Sequence, residues 1–477
     1  MSKNDGSIIR SFLWKLLERG AAQIITLVVQ IVLARILVPD EFGVISILLV
    51  FINIANVFIQ KGFASSLIRK PSVTKEDYNT AFVVSEIIAL ICVGVLCVLS
   101  RAIENFYAID NLAAYLRVLS ITLIFGALYS VQNAELVRRM RFKQIFYRSM
   151  AASLGSGVIG IIAAVFNFGV WSLILQSLSQ QIIVCIATAV ACDWKPRIQF
   201  SKASFDELFS FGSKILVAEI ISIGVENLRT LIIGKKYSAS DLAYYDRGQV
   251  YPATAMRSIY DTISSVLLPV FSKIQDEKEK LAKSVSLSLE LSIFLIAPLF
   301  IGLAAVARPF ILVLLTEKWE GAVPFLVIFC IYQISFPAYG ILRQSLYALG
   351  KSDDVLKLEI ARSVVFILAI IIGVFFSTKC IAILSCVSMY VTTLFYYHVL
   401  NRYIEFNGRH ILKNITTIGF QCFVMVLSIH SINLIAMPDL IMILTDIVVG
   451  AITYIAMSII LKNESFKYCV DFVKKRK

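Results

Sequence analysis

NTAFVVSEIIALICVGVLCVLSR, residues 79–101, is the stretch that decides the fold. It is apolar from end to end apart from the Glu86 carboxylate, a few small polar groups and the closing Arg101. A helix that crosses a bilayer needs ~20 predominantly apolar residues. Backbone N–H and C=O groups in hydrocarbon must bond within their own segment, so a run of this kind is a membrane helix. The pattern recurs about fourteen times along the chain. The spans run over 12–37, 42–61, 79–101, 111–136, 146–167, 169–190, 208–234, 240–271, 284–307, 321–349, 357–377, 379–401, 413–435 and 438–461. Composition agrees: 58% of residues are hydrophobic, 16% are charged, and the mean hydropathy is +0.81, far from a soluble domain. The expectation is an all-α polytopic membrane protein. The first span is too long for a cleavable signal and lacks a small-residue cleavage site. The nine Cys lie mostly inside spans without metal spacing and read as packing residues. No metal, cofactor or enzymatic chemistry is expected.

The loops set the orientation. Lys and Arg concentrate on alternate loops, among them Arg138, Arg139, Arg141, Lys143 and Arg148 in one, and the tail Lys474, Lys475, Arg476 and Lys477 in another. The opposite set holds only Arg35, Arg101, Lys235, Lys236, Arg308, Lys318 and Lys379. By the positive-inside rule both termini are cytoplasmic, and an even number of spans agrees. The net charge of +13 is thereby assigned to loops beside anionic lipid, with no need of a nucleic-acid partner.

No loop exceeds about 25 residues, too short for a soluble domain, and no GxxxxGK[ST] phosphate loop is present. A weak repeat relates Glu18, Arg35 and Asp40 to Glu219, Lys236 and Asp241 at one constant offset. It predicts two parallel six-helix lobes, 1–190 and 208–401, joined by a cytoplasmic linker at 191–207, with two appended helices and a basic tail over 402–477. Transporters commonly bind substrate where two such halves meet.

Charged groups inside spans are costly and normally face the bundle interior or water. At 100° per residue, Lys15, Arg19, Gln23, Thr26 and Gln30 of span 1 share one narrow arc. Glu219, Ser222, Glu226, Arg229 and Thr230 do the same in span 7. In span 8, Arg247, Tyr251, Thr254, Ser258, Asp261 and Ser265 form a line with Arg257 at its flank. Glu86 and Arg117 are further charges within spans, with Glu290 and Arg362 nearer span ends. These stripes are expected to line a central cavity. The plainer alternative, neutralised structural pairs such as Arg257–Asp261 and Glu226–Arg229, stands beside it. His398, His410 and His430 read as structural; Asp446 is either a proton site or an interhelix hydrogen bond.

Two stretches carry a family resemblance. LARILVPDEFGVISI (33–47) followed by KGFASSLIRK (61–70) resembles the opening helices of polysaccharide-type flippases of the multidrug/oligosaccharidyl-lipid/polysaccharide exporter superfamily. AYYDRGQVYP (243–252), running into SSVLLPVFSKIQDE (264–277), resembles their eighth helix and following loop. The resemblance covers essentially the whole chain. It implies a bacterial cytoplasmic-membrane protein that moves undecaprenyl-diphosphate-linked oligosaccharide to the outer leaflet, for O-antigen, capsule or exopolysaccharide assembly, beside a polysaccharide polymerase. It also implies cationic cavity residues that hold the diphosphate. By position these are Arg19, Lys61 and Arg247, with Arg229 and Arg257 as weaker additions beside acids. Gln23, Gln30, Thr254 and Tyr251 supply hydrogen bonds to sugars, and Glu86, Glu219, Glu226 and Asp261 are candidates for coupling to an ion gradient. The rival readings are a cation-coupled multidrug exporter of the same fold, a flippase for the peptidoglycan lipid precursor, and a membrane-embedded glycosyltransferase or polymerase. The last is disfavoured by the short outer loops.

Overall fold

The computed structural model describes residues 3–60, 62–406, 408–434 and 437–474. Within these, the side chains at 3–13, 15–19, 211, 214, 215, 218, 258, 261, 262, 265, 409, 472 and 473 are outside the description. The chain is helical throughout. Its first half comprises α1 (Lys3–Ile36), α2 (Pro39–Gln60), α3 (Gly62–Arg69), α4 (Lys75–Tyr107), α5 (Leu112–Arg138), α6 (Phe142–Val165), α7 (Val170–Ala191) and α8 (Lys202–Lys236). Then follow α9 (Ala239–Lys273), α10 (Lys278–Ala305), α11 (Ala307–Leu315), a 3-10 helix (Glu317–Ala322) and α12 (Val323–Ala348). The chain continues with α13 (Ser352–Gly373), α14 (Thr378–Leu400), α15 (Gly408–Ile432), α16 (Asp439–Ile460) and α17 (Glu464–Lys474).

Among the described residues fourteen helices reach 22 residues or more, one for each expected span. Ten are long and apolar enough to cross a bilayer on length and composition alone. The remaining four are α1, α8, α9 and α13. The first three of these carry the polar stripes, and α13 carries Asp353, Asp354, Lys357, Glu359 and Arg362. Their lower hydropathy is the direct cost of those side chains. Large apolar groups such as Val98, Val190, Phe375 and Phe376 are largely exposed, as lipid contact requires. The protein is a multi-pass membrane protein.

Helix ends follow local chemistry. Thr74 and Asp77 form a reciprocal capping box on α4, which stops at Ala108 in the left-handed region. Ser377 caps α14 by accepting from the Cys380 N–H at 3.0 Å. Prolines 252 and 269 in α9, 298 in α10 and 337 in α12 each remove a backbone donor and loosen those helices locally.

The helices form two compact units, Met1–Ala243 and Tyr244–Lys477. In the first, α6 packs on α1 and α7, α5 on α2, α4 and α7, and α8 on α2, α3 and α4. The sequence repeat counts α8 as the opening helix of its second copy, whereas by packing it belongs to this unit. Glycines make the approach possible. A Cβ on Gly43 would sit 1.9 Å from the Ala239 carbonyl oxygen, and one on Gly234 would sit 2.8 Å from Ile47.

Loop and helix ends of the first unit are tied by charge. Lys70 bridges Asp77 and Glu207, both at 2.8 Å. Burial alone would lower the Lys70 pKa, but those two carboxylates outweigh it and raise it. Arg139 and Arg141 both hold Asp193. Burial, then the hydrogen-bonded Glu135 carboxylate, pushes the Cys192 thiol up to about 12.

In the second unit α10, α12 and α14 form the centre, α13 packs on α14, and α15 and α16 pack with α10. Its core is aromatic, with Tyr245, Phe271, Trp319, Phe329 and Tyr396 almost fully buried. The two C-terminal long helices are bonded in: the Tyr454 hydroxyl donates to the Phe294 carbonyl at 2.8 Å.

Candidate functional site: a neutral polar chamber

A cavity of about 280 Å³ lies inside the first unit. α1 presents Thr26 and Gln30 to it, the lower end of the stripe expected from the sequence. α2 adds Asn53 and Asn56, and α5 adds Thr122. α6 contributes Ser153 and Ser156, and α7 brings Gln176, Ser177, Gln180 and Gln181. Four apolar side chains, Val29, Leu49, Ile52 and Leu119, complete the wall. Among the described residues no charged side chain lines it.

The chamber exists because α6 is thin. A Cβ on Gly157 would stand 2.5 Å from Val29 of α1, and one on Gly160 would stand 2.9 Å from the Gln176 side chain of α7. Small residues thus draw three helices together, while the amides beyond them hold the space open.

Hydrogen bonding leaves the walls receptive. Thr122, Ser156 and Ser177 spend their protons on carbonyls of their own helices, at 2.6, 3.5 and 2.9 Å, so their lone pairs remain for the chamber. Gln30 Nε2 meets Gln176 Oε1 at 3.5 Å, a long contact. Gln60 Nε2 donates to Asn56 Oδ1 at 3.1 Å. The buried Gln181 Oε1 has no hydrogen-bond partner among the described residues. Amides offering both donors and acceptors, without charge, suit a hydroxyl-rich neutral ligand.

The other expected site residues whose side chains are described fall elsewhere. In the first unit, Gln23 and Glu226 are exposed, and Glu219 and Arg229 are half-buried. Glu86 on α4 is half-buried, with a buried Oε1 that has no hydrogen-bond partner among the described residues. Lys61 and the side chains of Arg19 and Asp261 lie outside the described residues. In the second unit Arg257 is exposed and Thr254 half-buried. Arg247 is buried, its guanidinium 5.7 Å from the Trp319 ring and beside the Tyr251 hydroxyl, while Tyr251 packs edge-on against Phe310. Asp446 accepts from Asn433 at 3.2 Å, the interhelix alternative. His410 bridges Glu290 and Glu464 at 3.1 and 3.2 Å, a structural role.

The second unit also holds a charged network. Glu359 accepts from the Tyr339 hydroxyl at 2.5 Å, from Tyr396 at 2.8 Å and from Arg362 Nε at 2.8 Å. Arg343 donates to the Tyr339 and Tyr260 hydroxyls, each at 2.9 Å.

Sequence reasoning missed Asn53, Asn56, Gln176, Ser177, Gln180 and Gln181. A signal was available: Asn53 and Asn56 are three apart on one helix, and Gln176 and Gln180 are four apart on another, so each pair shares a face.

A family model described as polysaccharide biosynthesis protein matches residues 32–324. The chain is 25% identical over 323 residues to the succinoglycan biosynthesis transport protein ExoT of Rhizobium meliloti (strain 1021), covering 68% of this chain and 65% of that one. It is 24% identical over 353 residues to the lipopolysaccharide biosynthesis protein WzxC of Escherichia coli (strain K12), covering 73% and 71%. The match to ExoT thus spans just under two thirds of that protein's length. In fold, the chain is similar to a solved structure of the lipid II flippase MurJ in an inward closed conformation, with a TM-score of 0.75 at 15% identity over 94% of this chain and 98% of that one.

Proposed function

Because this chain belongs to the polysaccharide biosynthesis protein family, we propose that it is a flippase for polyprenyl-diphosphate-linked oligosaccharide, working by alternating access. The lipid is undecaprenyl diphosphate, carried from the inner to the outer leaflet of a bacterial cytoplasmic membrane for surface polysaccharide assembly. Both termini are cytoplasmic in this reading, on the strength of the loop charges. A polymerase on the outer face consumes the product.

The observation that carries the reading is the neutral amide-and-hydroxyl chamber among lipid-facing helices. A glycan headgroup is rich in hydroxyls and cannot enter hydrocarbon without replacements for its water. The diphosphate adds about two negative charges, whose transfer unaided is prohibitive. Arg19, which precedes Thr26 and Gln30 on the arc of α1 expected from the sequence, is the leading candidate for those charges, and Lys61 is the second. Arg247 is buried over the Trp319 ring, so its part is secondary, as are those of Arg229 and Arg257. Glu86, whose buried oxygen has no hydrogen-bond partner among the described residues, leads the candidates for ion coupling over Glu219, Glu226 and Asp261. The two six-helix lobes of the sequence repeat would supply the rocking bodies. A multidrug exporter for cationic compounds would need carboxylates in its chamber, and the described lining offers none.

The test is lipid analysis of a strain lacking the gene. Undecaprenyl-diphosphate oligosaccharide should accumulate on the inner leaflet while surface polymer is lost, and the wild-type gene should reverse both. Arg19→Ala at normal protein level should fail to reverse them. A deletion that leaves lipid and polymer unchanged but alters drug susceptibility overturns the reading.

A further inference from the structure

We propose that the chamber of the first unit is a subsite for one uncharged sugar ring of the carried glycan and that it selects against acidic sugars; this rests on the flippase reading above. Size comes first. A volume of about 280 Å³ equals roughly nine waters at ~30 Å³ each. It lies just under the ~300–1,000 Å³ of pockets for drug-sized ligands. One hexose ring fits, and a multi-sugar repeat does not.

Chemistry comes second. Asn53, Asn56, Gln176 and Gln180 each present an amide, so every ring hydroxyl can find either a donor or an acceptor. The back-bonded hydroxyls of Thr122 and Ser177 add acceptors. A uronic acid placed here would lose water from its carboxylate and meet no cation in the described lining, a penalty a neutral ring avoids. The lining therefore recognises by hydrogen bonds and rejects by an unmet charge.

Position comes third. Thr26 and Gln30 follow Arg19 by seven and eleven residues, ~10 and ~16 Å along a helix axis. With the diphosphate near Arg19, the chamber receives a ring close to the lipid rather than the distal end of the repeat. Gly157 and Gly160 set its width, since a Cβ at either would strike Val29 or Gln176.

The experiment measures binding to the full-length protein in lipid nanodiscs by native mass spectrometry. Three probes are compared: undecaprenyl diphosphate, the same lipid bearing one glucose, and the same lipid bearing one glucuronic acid. Wild type is expected to bind the glucosyl lipid at least tenfold more tightly than the glucuronyl lipid. Gln180 is exposed at the chamber wall, so Gln180→Lys supplies a cation without repacking and should cut that ratio at least fivefold. Gln180→Met, equal in length but neutral, should not strengthen glucuronyl binding. Equal binding of the two sugars by wild type overturns the subsite, as does a ratio that Gln180→Lys leaves unchanged. Undecaprenyl diphosphate binding as tightly as the glucosyl lipid also overturns it and leaves the flippase reading standing. No binding of any probe overturns both.

Discussion

Gln30, Asn53, Gln176 and Gln180 of the first unit surround a cavity and are neutral, whereas Tyr339, Arg343, Glu359 and Arg362 of the second are bonded to one another around a shared carboxylate. Both sets sit on helices of a membrane protein, where an unmet polar group is expensive. The second unit meets most of the expense internally: Glu359 accepts from two phenols and Arg362, and Arg343 donates to two tyrosine hydroxyls, although its buried Nε has no hydrogen-bond partner among the described residues. The first unit keeps a set of amides only loosely paired and holds the space open. A closed network fixes structure, and an open one awaits a ligand. The first unit keeps its bridging charges at helix ends and loops, in Lys70, Asp77, Arg139, Arg141 and Asp193.

The sharpest way to break that contrast is to open the closed network. Glu359→Ala removes the acceptor shared by Tyr339, Tyr396 and Arg362 and leaves two guanidinium groups without their carboxylate. Arg362 is 40% exposed and Arg343 28%, so the loss is smaller than for a fully buried pair, about 3 kcal/mol. Thermal unfolding in detergent should register it as the largest drop among the variants considered. An unchanged midpoint would mean that the network is as open as the chamber.

Closing the open set is the converse. Gly160→Leu drives a side chain into Gln176, where even a Cβ would stand 2.9 Å away. Overpacking should cost ~1–3 kcal/mol, and the filled chamber should abolish export. The measurement is surface polymer at matched protein level, with the lipid-linked intermediate accumulating. Export at the wild-type rate would mean that the glycan passes elsewhere.

These contrasts were unevenly legible in the sequence. Membrane helices were plain: the expected spans 169–190 and 379–401 match α7 and α14 within one residue at each end. Hydrophobic length is a local property, and a bilayer imposes it on each helix separately. The segment 308–320 was expected to be an outer loop, yet it folds as α11 and most of the 3-10 helix, with Trp319 fully buried. Nine residues are too few for a helical period to declare itself, and the burial of Trp319 beside Tyr244 and Arg247 depends on distant neighbours. Two of the five residues of the α1 stripe, Thr26 and Gln30, led to the chamber, because periodicity locates a face. Which faces of α2 and α7 turn toward it depends on the close approach at Gly157 and Gly160, and single-helix periodicity carries no such information.

A finer cut tests the amides themselves. Gln176→Leu keeps approximate volume and removes one neutral hydrogen-bonding group, worth ~0.5–1.5 kcal/mol. The initial rate of export should fall by roughly twofold to tenfold, with thermal stability nearly unchanged. A fall in stability matched to the fall in rate would instead assign Gln176 to packing, and the distinction between the two units would weaken.

The smallest effect is expected where the first unit's charges meet water. Arg141, assisted by Arg139, holds the exposed Asp193 carboxylate below its ordinary range. A depressed folded-state value contributes stability that is present above the unfolded pKa of ~3.9 and lost as pH falls through the lower folded value. The loss is therefore confined to strong acid. Full exposure and salt screening make it small, so Asp193→Asn should leave the unfolding midpoint unchanged at pH 7 and moderate salt. The same pH and salt series applied to Glu359→Ala should show a deficit that persists at high salt, because its partners are half-buried in the helix bundle. Equal salt sensitivity of the two variants would place the charges of both units in the same environment, and the contrast between an open neutral chamber and a closed charged network would then rest on geometry alone.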